Sequence, residues 1–193
     1  MSLFQKHSME GYLTGQLLVA MPQMKDPRFI HAVVYICGHD ENGAMGLVIN
    51  KLIDAVRLAD LLSQLGIKTS PLSKNIPIHF GGPVEMGRGF VLHSNDYIHE
   101  GSIVISEEIA LTATLDMLTI IAEGSGPKEK MCALGYAGWS SGQLEHELQQ
   151  NAWLQVPADM DLIFHEPIAE RWRKTINKIG IMPEDLLWDA GHA

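Results

Sequence analysis

Two cysteines in 193 residues, Cys37 and Cys132, are too few for a disulfide framework. Both sit in apolar, strand-like runs, which points to buried thiols in a reducing compartment, although counting alone leaves a single bridge open. Long apolar runs are missing too. The N-terminal stretch "MSLFQKHSMEGYLTGQLLVAMP" has no basic block followed by an apolar one, and its apolar run 17–21 is far below the ~20 residues that span a bilayer. We therefore expect a cytoplasmic protein with no membrane segment. Positive charge is scarce: 14 basic against 23 acidic residues leave a net charge of −9. That charge repels nucleic acid at long range, and no helix-turn-helix, zinc-finger or RNP pattern offsets it, so direct nucleic-acid binding is not expected.

Metal and cofactor signatures are equally sparse. The tightest ligand-type groupings among the nine histidines are Cys37-x-His39 and Asp159-x-Asp161-x3-His165. Neither has the spacing of H-E-x-x-H or paired C-x-x-C, so no metal site and no cofactor are expected. There are no repeats or low-complexity segments. What remains is an ordinary folded composition, 46% hydrophobic and 19% charged, long enough to bury about 70% of its unfolded surface. One domain over residues 1–193 is the simplest organisation.

Periodicity assigns the elements. "GQLLVAM" (15–21) reads as a strand ended by Pro22, and "HAVVYICGH" and "AMGLVIN" as a hairpin turning on Asn42-Gly43. In "VRLADLLSQLGI", Leu58, Leu61, Leu62 and Leu65 lie on one helix face, with Gly66 as a stop. "IPIHF" and "GFVLHS" read as a strand pair joined by "GGPVEMGR", and "SIVIS" as another strand. "EEIALTATLDMLTIIAEG" reads as a helix. Then come a strand "KMCALGYAGW", a helix "SGQLEHELQQNAW", a short strand "LIF", a helix "EPIAERWRKTINKIG" and a final turn or two in "PEDLLWDAGHA". Paired strands with inserted helices make an α+β protein.

Three stretches carry candidate chemistry. Gly138-Trp139-Ser140-Ser141-Gly142 matches the G-x-S-x-G nucleophile elbow, and Asp159, Asp161 and His165 follow in hydrolase order. Against this, the chain opens on a hairpin rather than parallel βαβ units, and about 50 residues remain after Ser140. Ser140 also fits an S-x-x-Q capping box with Gln143, which explains the same residues without catalysis. "FGGPVEMGRG" offers Gly81, Gly82, Gly87, Gly89 and Arg88 as donors for a phosphate or carboxylate, without a P-loop or G-x-G-x-x-G fingerprint. The helix 167–179 places Arg171, Lys174 and Lys178 on one face with Arg173 nearby, read here as a solvated basic face. The four tryptophans, Trp139, Trp153, Trp172 and Trp188, fall in the last third of the chain.

Several long strings occur in an order that is itself specific: "GQLLVAMP" with "DPRF", "GAMGLVIN", "GGPV", "RGFVLHS", "LGYAGWSSGQLEHEL" with "NAWL", and "AGHA". In these the chain resembles the AlgH-like (YqgE-type) family of bacterial proteins from about Gly15 to Ala193. The resemblance implies paired antiparallel strands forming a closed, barrel-like sheet region flanked by helices, and a cytosolic location. It implies little biochemistry. The family's name comes from a proposed role in regulating alginate production, which labels it a transcriptional regulator, and its molecular function is not established. The positions of Ser140 and Ser141 are not fixed as serine in the family pattern, which favours the cap. The family usually reads "VINRP", whereas Lys51-Leu52 follows Asn50 here. Motif positions carried over make Asn50, Gly81, Gly82, Arg88, His93, Tyr136, Trp139 and Gln143 the candidate ligand-binding residues, expected to converge in space. The expected function is non-enzymatic binding or regulation through a protein partner or a small anionic ligand; the alternative is a serine hydrolase using Ser140, His165 and Asp159 or Asp161.

Overall fold

The computed structural model describes residues 11–188. The chain divides into two compact units, one of residues 1–50 with 137–193 and the other of residues 51–136.

The first unit contains β1 (Gln16–Ala20), β2 (Val33–Asp40), β3 (Gly43–Val48), the end of β9 (Lys130–Ser140), and β10 (Trp153–Pro157). Its strands run in the order β10-β1-β2-β3-β9, all antiparallel. "LLVA" and "VVYICGH" are buried without alternation because both faces are covered. On one face, Leu18, Val34 and Ile36 pack with Trp139, Trp153 and Leu144 of the helix α3 (Gln143–Gln149). The helix α4 (Ile168–Asn177) also packs on β1 and β2, and the Trp172 indole donates to Ala20 O at 2.8 Å. A short helix, α5 (Asp185–Trp188), follows. The β2–β3 loop is Glu41–Asn42, shaped by a 2.8 Å bond from the Asn42 amide to Asp40. Gly43, not Asn42, takes the positive φ, 138°. A Cβ on Gly43 would stand 2.2 Å from Trp139 O, so close strand packing also demands glycine there.

The second unit contains β4 (Leu52–Arg57), α1 (Leu58–Gln64), β5 (Pro77–Phe80), β6 (Val84–Ser94), β7 (Ser102–Val104), β8 (Ile109–Thr112), α2 (Leu115–Ala122) and the start of β9. The strand order is β4-β5-β9-β6-β8-β7, with β5 parallel to β9 and the other pairs antiparallel. Helices α1 and α2 cover one sheet face, where Leu58, Leu62, Met117 and Ile121 meet Ile78, Val91 and Cys132.

The α+β class, the paired antiparallel strands and the flanking helices are as expected. Four element readings are corrected. β5 and β6 do not form a hairpin, because β9 lies between them. "IALT" is the strand β8, buried at every position between β6 and β7, and the helix begins only at Leu115; this packing overrides the helical pattern. The "NAW" end of the expected helix gives way to β10, which pairs along β1. "LIF" lies in a π-helical turn, Asp161–His165, rather than a strand. The terminal "AGHA" lies outside the described residues.

Candidate functional site

In the first unit, the "AGWSSGQLEHEL" string builds a latch. Gly142 opens α3 in the left-handed region (φ 73°), and no side chain caps the helix amides. Polar side chains of α3 hold it instead. The indoles of Trp139 and Trp153 both donate to Glu147 Oε2, at 2.9 and 2.8 Å, and Gln143 Nε2 donates to Glu147 Oε1 at 2.9 Å. The two indoles are nearly fully buried and meet edge to face at 5.9 Å. Glu145 is 2.9 Å from His39 Nε2, while His39 Nδ1 accepts from the Leu13 amide, so the proton sits on Nε2 and faces the carboxylate.

Ser140 belongs to this latch. Its amide and its hydroxyl both donate to Gln143 Oε1, at 3.0 and 3.2 Å. This is half of the expected capping box: Gln143 reaches back, but the serine hydroxyl does not accept from the helix. The left-handed residue of the turn is Gly142 rather than Ser140, so the strain of a nucleophile elbow is not at the serine. Ser141 donates to Glu41 O at 2.6 Å. His165 Nδ1 pairs with Asp161 at 2.7 Å, and Asp159 accepts from the Leu162 amide and from Lys178.

The expected basic face of α4 is consumed internally. Arg171 is buried and donates to Glu166 O and Ile49 O, and burial pushes its guanidinium down to about 10. Lys174 pairs with Glu166, Lys178 with Asp159, and Arg173 with Glu184. Asn50 is likewise committed to backbone, accepting from the Val33 amide and donating to His31 O, both at 2.8 Å.

The second unit holds the other candidates. The Gly81 amide donates to Leu134 O at 2.9 Å, and Gly82 allows close backbone crossing: a Cβ on Gly135 would stand 2.3 Å from Gly82 O. The β6–β9 register breaks between Val84 and Gly89, and within this bulge Glu85 adopts φ 46°. Bulges and left-handed non-glycine residues cost energy and cluster where a side chain must be aimed. Here they present Arg88. Its guanidinium lies 5.2 Å from the Phe90 ring centroid and 3.5 Å from Glu85, and Phe90 meets Tyr136 edge to face at 5.9 Å. Burial, with Glu85 beside it, pushes the Tyr136 phenol above its ordinary value.

His93 sits elsewhere on β6, fully buried. Nδ1–H donates to Ser94 O at 2.8 Å, and Nε2 accepts from the Thr112 hydroxyl at 2.8 Å, which in turn accepts from Ser102 at 2.7 Å. Burial holds the imidazole below its ordinary pKa. This is a neutral structural histidine, not a group that meets ligand. The eight expected site residues therefore divide: Asn50, Trp139 and Gln143 belong to one unit, and Gly81, Gly82, Arg88, His93 and Tyr136 to the other.

Sequence reasoning missed a cavity of about 390 Å³ in the second unit, walled by α1 (Leu58, Leu61) and the Leu65 that follows it, α2 (Leu115, Leu118) and strands β6, β8 and β9. Arg88, Gly87 and Gly89 form its lip. From Gly89 the β6 register is regular, so Gly89 and Val91 share the helix-covered face and Phe90 the other. The lining is mostly apolar, with Thr112, Thr114 and Gln64 as polar exceptions. Cys132 lines it as a buried thiol, which burial pushes up to about 12. The leucines that wall the cavity look like ordinary core in the sequence; only the Gly87-Arg88-Gly89 spacing marked the place.

A sequence model described as AlgH-like matches residues 17–184. The chain belongs to the AlgH-like family. A UPF0301 protein of Rhodospirillum rubrum is 50% identical over 192 residues, covering 100% of this chain and 99% of its own length. The solution structure of the AlgH protein from Pseudomonas aeruginosa superposes with a TM-score of 0.80 at 41% identity, over 98% of this chain and 100% of that one. A Corynebacterium diphtheriae protein shares the fold at 16% identity, with a TM-score of 0.69 over 91% of this chain and 90% of that one. Among the described residues, no helix is long and apolar enough to cross a membrane, and no group of three or more His, Cys, Asp and Glu is placed to hold a metal.

Proposed function

We propose that this AlgH-like chain is a non-enzymatic binding protein, regulatory in role, and that its 51–136 unit takes a small anionic ligand with an apolar body. The observation that carries this reading is the cavity of about 390 Å³ with an arginine at its lip. That volume lies at the low end of small-molecule sites, roughly 300–1,000 Å³, and mostly apolar walls with a few polar groups are the usual lining of such sites. Arg88 supplies the charge: its guanidinium rests against the Phe90 ring on the other face of β6, and it meets a ligand carboxylate by swinging from there across the lip. Its present partner Glu85 is 3.5 Å away, and both side chains are about half exposed, so the pair is weak enough for a ligand carboxylate to displace it. A planar guanidinium is the natural fork for a carboxylate or phosphate.

Partner binding through an exposed tryptophan has less support. Trp139 and Trp153 are buried, and Trp172 is half-buried with its indole N–H committed to Ala20 O. A thermal-shift screen over small carboxylates and sugar phosphates tests the ligand reading. A ligand at about 100 times its Kd stabilises by roughly 2.7 kcal/mol, a shift of about 5–11 °C for a chain this size. Arg88→Ala is expected to remove most of that shift while leaving the ligand-free Tm within about a degree, because exposed ion pairs contribute little. A screen with no stabilising anion, or a shift untouched by Arg88→Ala, contradicts the reading.

A further inference from the structure

The cavity of the 51–136 unit is aliphatic down to its floor. Leu58, Ile78, Val91 and Cys132 line it as buried residues. Phe90 turns its ring to the opposite sheet face, where Tyr136 and the Arg88 guanidinium meet it. The polar lining residues offer a buried body nothing. The Thr112 hydroxyl is taken by His93 and Ser102. The Thr114 hydroxyl oxygen has essentially no accessible surface. The Cys132 thiol is a weak donor. Gln64 is exposed, but it stands at the mouth, the last residue of α1. A sugar or polyhydroxy acid in this space leaves its hydroxyls unpaired, each weakening binding about fivefold or more.

The charge lies outside this space. Arg88 rests on Phe90 across β6, beyond the lip that Gly87 and Gly89 form. An acid short enough to sit wholly on the floor buries its carboxylate among leucines, which is strongly unfavourable. A body that runs from floor to lip carries its carboxylate out to the guanidinium and to Gln64. The mouth is apolar as well: Leu65 and Leu115 line the cavity while 49% and 58% exposed. Large leucines open to solvent at the rim lengthen the apolar track along which a chain can lie.

We infer that the occupant is the unbranched acyl chain of a medium-length carboxylic acid, its tail on the floor at Ile78 and Cys132 and its carboxylate at the lip beside Arg88. The inference rests on the anion reading above and narrows its ligand. A chain with rotatable bonds sits on the floor and still turns over the lip, whereas a rigid body does one or the other. At roughly 30 Å³ for each methylene-sized unit, a cavity of about 390 Å³ takes up to about a dozen carbons.

Calorimetry on the full chain with butanoate, hexanoate, octanoate, decanoate and tetradecanoate, all below their micelle concentrations, tests this beside octanol and glucose 6-phosphate. Binding is expected to tighten about two- to fourfold per methylene from butanoate to decanoate and to level off near a dozen carbons. Octanol is expected to bind at least about tenfold more weakly than octanoate, and glucose 6-phosphate not at all. Gly89→Leu fills the open space at Gly89 from the sheet, and should end the rise about four carbons earlier. Leu118→Phe fills the cavity from α2, moves the series the same way, and carries the test if Gly89→Leu fails to fold by circular dichroism. If the acids bind without length dependence, if the series is unaltered in both variants, or if glucose 6-phosphate matches octanoate, the acyl inference is overturned and the anion reading stands. If octanol matches octanoate while the length dependence holds, the chain stands and the anion reading falls. If none of the probes binds, both fall together.

Discussion

Replacing Glu147 by alanine is the sharpest test of how the first unit is held. The substitution removes the carboxylate that accepts from two buried indole N–H groups and from the Gln143 amide. A buried donor left unsatisfied costs about 1–3 kcal/mol, so the two indoles together set a loss of about 2–6 kcal/mol. Glu147 is itself only half-buried, so water can reach part of the vacated site, and the lower half of that range, about 2–4 kcal/mol, is the expected value. Urea unfolding followed by far-UV circular dichroism measures it without relying on the tryptophans being perturbed. Trp139→Phe deletes one of the donors, so Glu147→Ala should cost about 1 kcal/mol less or better in that background than in the wild type. A cost within about 0.5 kcal/mol of zero in the wild type, or none of this coupling, refutes the latch.

Three further outcomes follow from other parts of the molecule. His93 is held neutral by burial, so the folded state binds its proton less readily than the unfolded state does; stability is full above the ordinary value of 6.5 and is lost as pH falls below it. Urea midpoints between pH 7.5 and 5 should therefore decline, and His93→Gln should flatten that decline even if it lowers the midpoint overall. Gly135→Ala forces a Cβ to 2.3 Å from Gly82 O at φ 72°, and should cost at least about 2 kcal/mol by urea unfolding. Arg171→Ala strips the buried donor from Ile49 O and Glu166 O and should lower stability by about 2–4 kcal/mol, whereas Arg173→Ala, at an exposed pair with Glu184, should change it by less than about 1 kcal/mol.

Most elements were legible where one local pattern dominates. The apolar runs of β1 and β2, the leucine spacing of α1 and the proline-to-glycine span of α4 each have one good solution. Misreadings fell where a distant strand decides. "IALT" is apolar enough for either a helix or a strand, and only pairing on both sides with β6 and β7 makes it β8. The β5–β6 hairpin looked local, but β9 inserts between its arms, and neither arm announces that. The site divides in the same way. The glycines and arginine of "GGPVEMGRG" stand out by type, and the structure does set Arg88, Gly87 and Gly89 at a cavity lip. The wall leucines have no such mark, because an apolar residue beside a cavity has the same pattern in the sequence as one in a filled core. Glu147 was hidden for the opposite reason: a glutamate on a short helix reads as solvated until two indoles are found pointing at it.

The cavity claim is most directly tested by backbone amide chemical-shift mapping of the full chain titrated with the small carboxylate that stabilises it most. Saturable shifts are predicted at Gly87, Arg88, Gly89, Val91 and Cys132, all from residues 51–136. Shifts confined to the residues of the other unit, or no saturable shift at any amide, would contradict it.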